Sequence, residues 1–89
     1  MIYEVRVGKR VRKEMARFPR QDQSRIVTKL RALAENPRPI GCEPVKAAEP
    51  GTHRLRVGNY RIVYTVEDAA QTVVVARVAR RGEDTYKGL

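Results

Sequence analysis

Residues 53–66 read HRLRVGNYRIVYTV, two alternating segments separated by Gly58 and Asn59. A glycine at the first position of a two-residue loop suits a type II′ hairpin turn, and so short a loop leaves the register no slack. Val57 is then expected opposite Tyr60, Arg56 opposite Arg61, Leu55 opposite Ile62 and Arg54 opposite Val63. One face carries Leu55, Val57, Tyr60, Ile62 and Tyr64, and the other carries Arg54, Arg56, Arg61, Val63 and Thr65. Two arginines directly opposite each other cost a few tenths to about 1 kcal/mol, a local conflict of the kind that marks a site. A solvated outer face is the commoner fate of exposed charge, but such a face normally mixes Lys, Glu and Thr. Guanidinium groups alone suit an anion, because each presents a planar fork of donors and stays charged at any physiological pH.

A third alternating segment, about Thr72 to Ala79, extends this sheet after a turn at Glu67 to Gln71. Its side assignment follows from cost. Turning Arg77 into a thin core would bury an unpaired charge, so Arg77 is expected on the arginine face, with Ala79 and Arg81 following it and Arg80 diverging. Tyr86 in the closing segment would then stand at the rim of that face. His53 falls opposite Tyr64 on the apolar side, where a structural role suits it better than a catalytic one. With one His, one Cys and no clustered carboxylates, the sequence holds no recognisable metal site.

The remaining elements must carry this hairpin. Ile2 to Val7 alternate, with Tyr3, Val5 and Val7 on one side, as a half-buried strand requires. Val11, Met15 and Phe18 recur at helical spacing up to Pro19, which predicts a short basic helix. Ile26, Val27, Leu30, Leu33 and Ala34 repeat that spacing over a longer span that Asn36 and Pro37 end. These stripes read as core. The stretch from Asn36 to Gly51, with its Pro and Gly residues, reads as the one loop insert. The expected architecture is a single α+β domain over residues 1–89: an N-terminal strand, a two-helix hairpin, then antiparallel strands forming a small sheet with the helices on one face.

Eighty-nine residues hold one modest core. Nineteen Lys and Arg against ten Asp and Glu leave a net charge of +9, spread through both halves of the chain, which points to a polyanionic partner for the folded surface. A single cysteine, Cys42, allows no internal disulfide. The N-terminus shows no export signal and no run approaches a membrane span, so a cytoplasmic protein without a membrane partner is expected. A sequence-specific DNA binder fits poorly, since no helix-turn-helix pattern appears and the basic residues gather on strands.

The order of elements, the segment HRLRVGNYRIVYTVED and the later VVVARVARRGEDTYK together resemble the RelE/ParE superfamily of small bacterial toxins, over essentially the whole chain. The most specific elements are Arg54, Arg56, Gly58, Asn59, Tyr60, Arg61 and Tyr64, followed by Arg81, Gly82 and Tyr86. The resemblance implies a RelE-like, microbial-ribonuclease-like fold. It also implies a ribosome-dependent mRNA endonuclease of a type II toxin–antitoxin pair, needing neither metal nor small-molecule cofactor. In such nucleases the positions matching Arg54, Arg56, Arg61, Arg81 and Tyr86 line the mRNA site, with Arg61, Arg81 and Tyr86 closest to the chemistry. Lys46, in a stretch like the basic segment before this hairpin in relatives, and Arg77 would add RNA contacts. The implied partners are mRNA, the ribosome and a cognate antitoxin whose acidic, partly disordered segment covers the basic face or the helices.

One departure matters. The second-strand pair is often lysine in these nucleases, and here both residues are arginine. Attack of a 2′-hydroxyl on the adjacent phosphate needs a proton acceptor, which guanidinium groups do not supply. Tyr86 is one candidate. Gyrase-inhibiting ParE-type toxins and catalytically decayed binders share the scaffold, and for them the arginine face would be an interaction surface only.

Overall fold

A computed structural model describes residues 2–81. Its elements are β1 (Glu4–Val7), α1 (Lys9–Met15), α2 (Arg20–Glu35), β2 (Glu43–Pro44), β3 (Thr52–Val57), β4 (Tyr60–Glu67) and β5 (Thr72–Arg80). The strands form one sheet in the order β1-β5-β4-β3-β2. β1 lies parallel to β5, and every other neighbouring pair is antiparallel.

The hairpin register is the one the two-residue loop requires. Val57 pairs with Tyr60, Arg56 with Arg61, Leu55 with Ile62, Arg54 with Val63 and His53 with Tyr64. Gly58 has φ +56° while Asn59 keeps a negative φ, the type II′ pattern. The apolar face of this hairpin is buried: Leu55, Val57, Tyr60, Ile62 and Tyr64 join Val66, Val73, Val75 and Val78 in the core. The helices cover that face with Val11 and Met15 from α1 and Ile26, Leu30 and Leu33 from α2.

Polar tips of the buried tyrosines are satisfied. The Tyr64 hydroxyl donates to the Pro37 carbonyl at 2.8 Å, tying the end of α2 to the sheet, and burial pushes its pKa far up. The Tyr60 hydroxyl donates to Asp22 in the first turn of α2 at 2.8 Å. Asp22 also suits the positive end of the helix dipole.

Three expectations are corrected. The first helix ends at Met15 instead of running to Phe18, because residues next to a proline are driven out of helical geometry. Phe18 lies in the following turn and still packs on Tyr60, with ring centroids 4.6 Å apart. The first strand starts at Glu4, two residues later than the alternation suggests. The stretch from Asn36 to Gly51 is not all loop: Glu43 and Pro44 pair with Arg54 and His53 as a short edge strand. Gly51, at φ +91°, turns the chain from there into β3, and a Cβ on it would come within 2.9 Å of the Val66 carbonyl oxygen.

Candidate nucleic-acid interface

Cross-strand partners share a face of the sheet, so the ladder maps the arginine surface directly. One row across the outer face reads Glu43, Arg54, Val63, Arg77, and the next reads Arg56, Arg61, Ala79. Ala79 opposite Arg61 and Val63 opposite Arg54 are both buried, so this face is covered between its arginines. Diagonal neighbours on one face lie roughly 7–8 Å apart, so Arg54 and Arg77 are within reach of Arg61.

The position of Arg77 depends on a β-bulge. Val63 pairs with Arg77 but the next residue, Tyr64, pairs with Val75, leaving Ala76 as the extra residue of β5. Val73 and Val75 therefore face the core below the bulge, while Arg77 and Ala79 face outward above it. Arg80, opposite Tyr60, falls on the helix side, where its guanidinium lies near the Tyr60 hydroxyl. Past the end of β5, the Arg81 N–H donates to the Asn59 carbonyl at 2.6 Å. This bond continues the register by one residue and puts Arg81 on the outer side with Arg77 and Ala79. Tyr86 lies outside the described residues.

The site has members that the sequence does not announce. Glu43 stands opposite Arg54 and is ion-paired to it at 2.5 Å, which brings a carboxylate onto the arginine face. Lys29 of α2 lines the same cavity of about 370 Å³ as Glu43, Arg54, Arg56 and Arg61. Four cationic side chains thus meet one carboxylate there. Lys46 follows β2 in an exposed turn and borders Arg54 from the far side of Glu43. Helical position marks Lys29 only as surface, and Glu43 becomes visible only once β2 is paired.

His53 lies on the opposite side. Its ring stacks on Tyr64 with centroids 5.9 Å apart, and its Nδ1 is 2.9 Å from the Gly51 carbonyl. It is a structural residue of the helix face, remote in direction from the arginines. Among the described residues no three His, Cys, Asp or Glu side chains gather as metal ligands would, and no helix is long and apolar enough to cross a membrane.

The outer face can therefore grip an anion at several points, with a carboxylate held at its border by Arg54. Comparison with known proteins identifies the scaffold. A sequence model of the family described as "ParE toxin of type II toxin-antitoxin system, parDE" matches residues 3–85. Toxin RelG of Mycobacterium tuberculosis is 31% identical over 88 residues, 98% of this chain and 99% of the relative. The solved RelBE2 toxin–antitoxin complex of the same organism is similar with a TM-score of 0.76 and 28% identity, over 91% of this chain and 100% of that one. The archaeal RelE–RelB complex of Pyrococcus horikoshii shares the fold with a TM-score of 0.82 and 23% identity, over 93% and 99% of the two chains. The chain belongs to the RelE/ParE superfamily, the toxins of type II toxin–antitoxin systems.

Proposed function

We propose that the arginine face binds messenger RNA on the ribosome and that the protein cleaves it, stopping translation. The observation that carries this reading is the row of Arg56 and Arg61 set opposite each other, with Arg54 and Arg77 diagonal to Arg61 and Arg81 beyond them, which gathers five guanidinium groups on one face of the sheet. A phosphodiester can accept from several such groups at once.

In this mechanism Arg61 and Arg81 hold the scissile phosphate and stabilise the charge that builds on it. Glu43 accepts the proton of the attacking 2′-hydroxyl, held in place by Arg54. The bond from the 2′-oxygen to phosphorus forms as the bond to the 5′-oxygen breaks, and Tyr86 protonates the leaving oxygen. A carboxylate on the arginine face supplies the group that the exchange of lysine for arginine removed. The role of Tyr86 rests on the resemblance alone. Arg54, Arg56, Arg77 and Lys46 position the strand, and the ribosome presents it.

An antitoxin partner fits a second surface. β1 is an edge strand, and beside it an apolar groove of about 480 Å³ is lined by Val5, Val7, Met15 and Leu30 and bordered by Arg12 and Arg31. An amphipathic, acidic antitoxin segment matches both its floor and its rim. Relatives have been solved as complexes with antitoxins, which supports this assignment.

The test is to map RNA ends on messages after brief induction. New ends are expected within translated regions and absent from the same message with its start codon removed. The family description as a ParE toxin favours one competing reading, a gyrase-directed binder. Topoisomerase-linked DNA breaks without cut messages would establish that reading in place of the nuclease.

A further inference from the structure

β2 covers only part of the β3 edge. It pairs with His53 and Arg54 and stops, so Leu55, Arg56 and Val57 form an uncovered edge among the described residues. In a two-residue hairpin the closing pair, here Val57 and Tyr60, exchanges the ladder hydrogen bonds. The next pair, Arg56 and Arg61, does not, so the Arg56 N–H and C=O point away from β4 toward this edge. A single backbone donor set there cannot seat a strand of useful length, but it can meet a phosphate.

Cations flank the edge on both sides. The 370 Å³ cavity crosses it, with Arg54, Arg56 and Arg61 on the outer side and Lys29 on the helix side. Lys29 also lines a second cavity, of about 470 Å³, with Ser24, Arg25 and Thr28. Arg25 in turn reaches the hairpin tip, where its guanidinium would lie 3.8 Å from a Cβ on Gly58. Lys29 and Arg25 are exposed, and no described carboxylate forms an ion pair with either. The row of basic and hydroxyl side chains thus continues around the sheet edge instead of ending at it.

We propose that the RNA backbone leaves the arginine face over the uncovered edge of β3 and that Lys29 and Arg25 of α2 bind its next phosphates. This inference rests on the RNA reading of the arginine face and extends it to a specific path and footprint. The second cavity has Val57 at its floor, and its rim, where Ser24 and Thr28 stand between Arg25 and Lys29 with no carboxylate among the lining residues, favours a phosphate chain over a folded partner.

The experiment measures binding of labelled single-stranded RNA to the purified chain across a salt series, with a short oligonucleotide and with one several nucleotides longer. Variants Lys29→Gln and Arg25→Gln sit on exposed helix positions and substitute a good helix former, and thermal unfolding checks the fold. Each neutralised phosphate of a single strand contributes about 0.7 to the slope of log affinity against log salt. The double variant is expected to reduce that slope by about 1.4 for the long RNA, and Arg25→Gln alone, outside the cavity of the arginine face, to leave the short one unchanged. Lys29→Arg should restore its share. Equal slopes for wild type and double variant on the long RNA overturn the path while the arginine face stands. If wild type binds neither RNA, both the path and the RNA reading fall. Binding of an acidic polypeptide that depends on Lys29 and Arg25 while long RNA binding does not would assign the edge to a protein partner and overturn the proposal.

Discussion

Val75 and Arg77 are two residues apart on one strand yet face opposite sides of the sheet, because Ala76 between them is the extra residue of a bulge. Strict alternation from Val73 through Val75 would carry Arg77 into the core beside Tyr64. The bulge resets the count, so the same strand supplies valines to the core below and arginine to the outer face above.

Deletion of Ala76 is therefore expected to straighten the strand without exchanging its faces. With the extra residue gone, Val75 and Arg77 become consecutive, so Val75 stays opposite Tyr64 in the core, Arg77 opposite Val63 on the outer face and Val78 opposite Ile62. A cooperative thermal transition is expected to persist in the deletion variant. Ala76→Ser, at an exposed position, should change stability by no more than about 0.5 kcal/mol.

The core offers a direct measure of how the helices are held. Ile26 is fully buried between α2 and the sheet, so Ile26→Ala leaves a cavity as well as losing apolar burial. A loss of about 2–5 kcal/mol in denaturant unfolding is expected. That is a large share of the roughly 5–13 kcal/mol available to a chain of this length.

Acid stability should show one identifiable contribution. The Asp68 carboxylate accepts from the Arg38 guanidinium at 3.2 and 2.7 Å and from the Tyr3 hydroxyl at 2.7 Å. Arg38 first and Tyr3 second hold its carboxyl below the ordinary value of 3.8. A depressed folded pKa contributes stability above 3.8 that is lost as pH falls through the lower folded value. Asp68→Asn should lower stability at neutral pH and flatten the decline below about pH 4. Solvent exposure keeps the effect small, so the slope of midpoint against pH is the quantity to compare.

The sequence makes some parts of this molecule plain and hides others for physical reasons. The β3–β4 register follows from the sequence because a two-residue loop leaves no freedom to slip. Arg77 is placed by energetic cost, where counting alone would have misplaced it. Glu43 is hidden because its pairing is set through the turn that ends at Gly51, whose geometry no periodicity encodes. Lys29 is hidden because its helix shows only that it is exposed, and its place in the site is set by the packing of α2 beside β3. Gly82 to Leu89, with Tyr86, lies outside the described residues.

The mechanism is tested by separating grip from proton transfer. Arg61→Ala and Arg81→Ala should abolish growth arrest with the fold intact, since both remove positive charge from the proposed phosphate clamp, and this alone does not distinguish an enzyme from a binder. Glu43→Gln does. Glutamine keeps the size and a hydrogen bond to Arg54 but cannot take a proton, so message cleavage is expected to slow by about 10²–10⁴-fold while ribosome binding persists. Tyr86→Phe separates the remaining roles, because a ring that only stacks keeps its aromatic face, whereas loss of a proton donor slows cleavage without weakening binding. Wild-type cleavage rates in Glu43→Gln would remove Glu43 as the base. His53 cannot then inherit the role, since its ring packs on the helix face against Tyr64. If both Glu43→Gln and Tyr86→Phe cut messages at the wild-type rate, proton transfer belongs to the ribosome or the RNA, and the arginines act by positioning and charge alone.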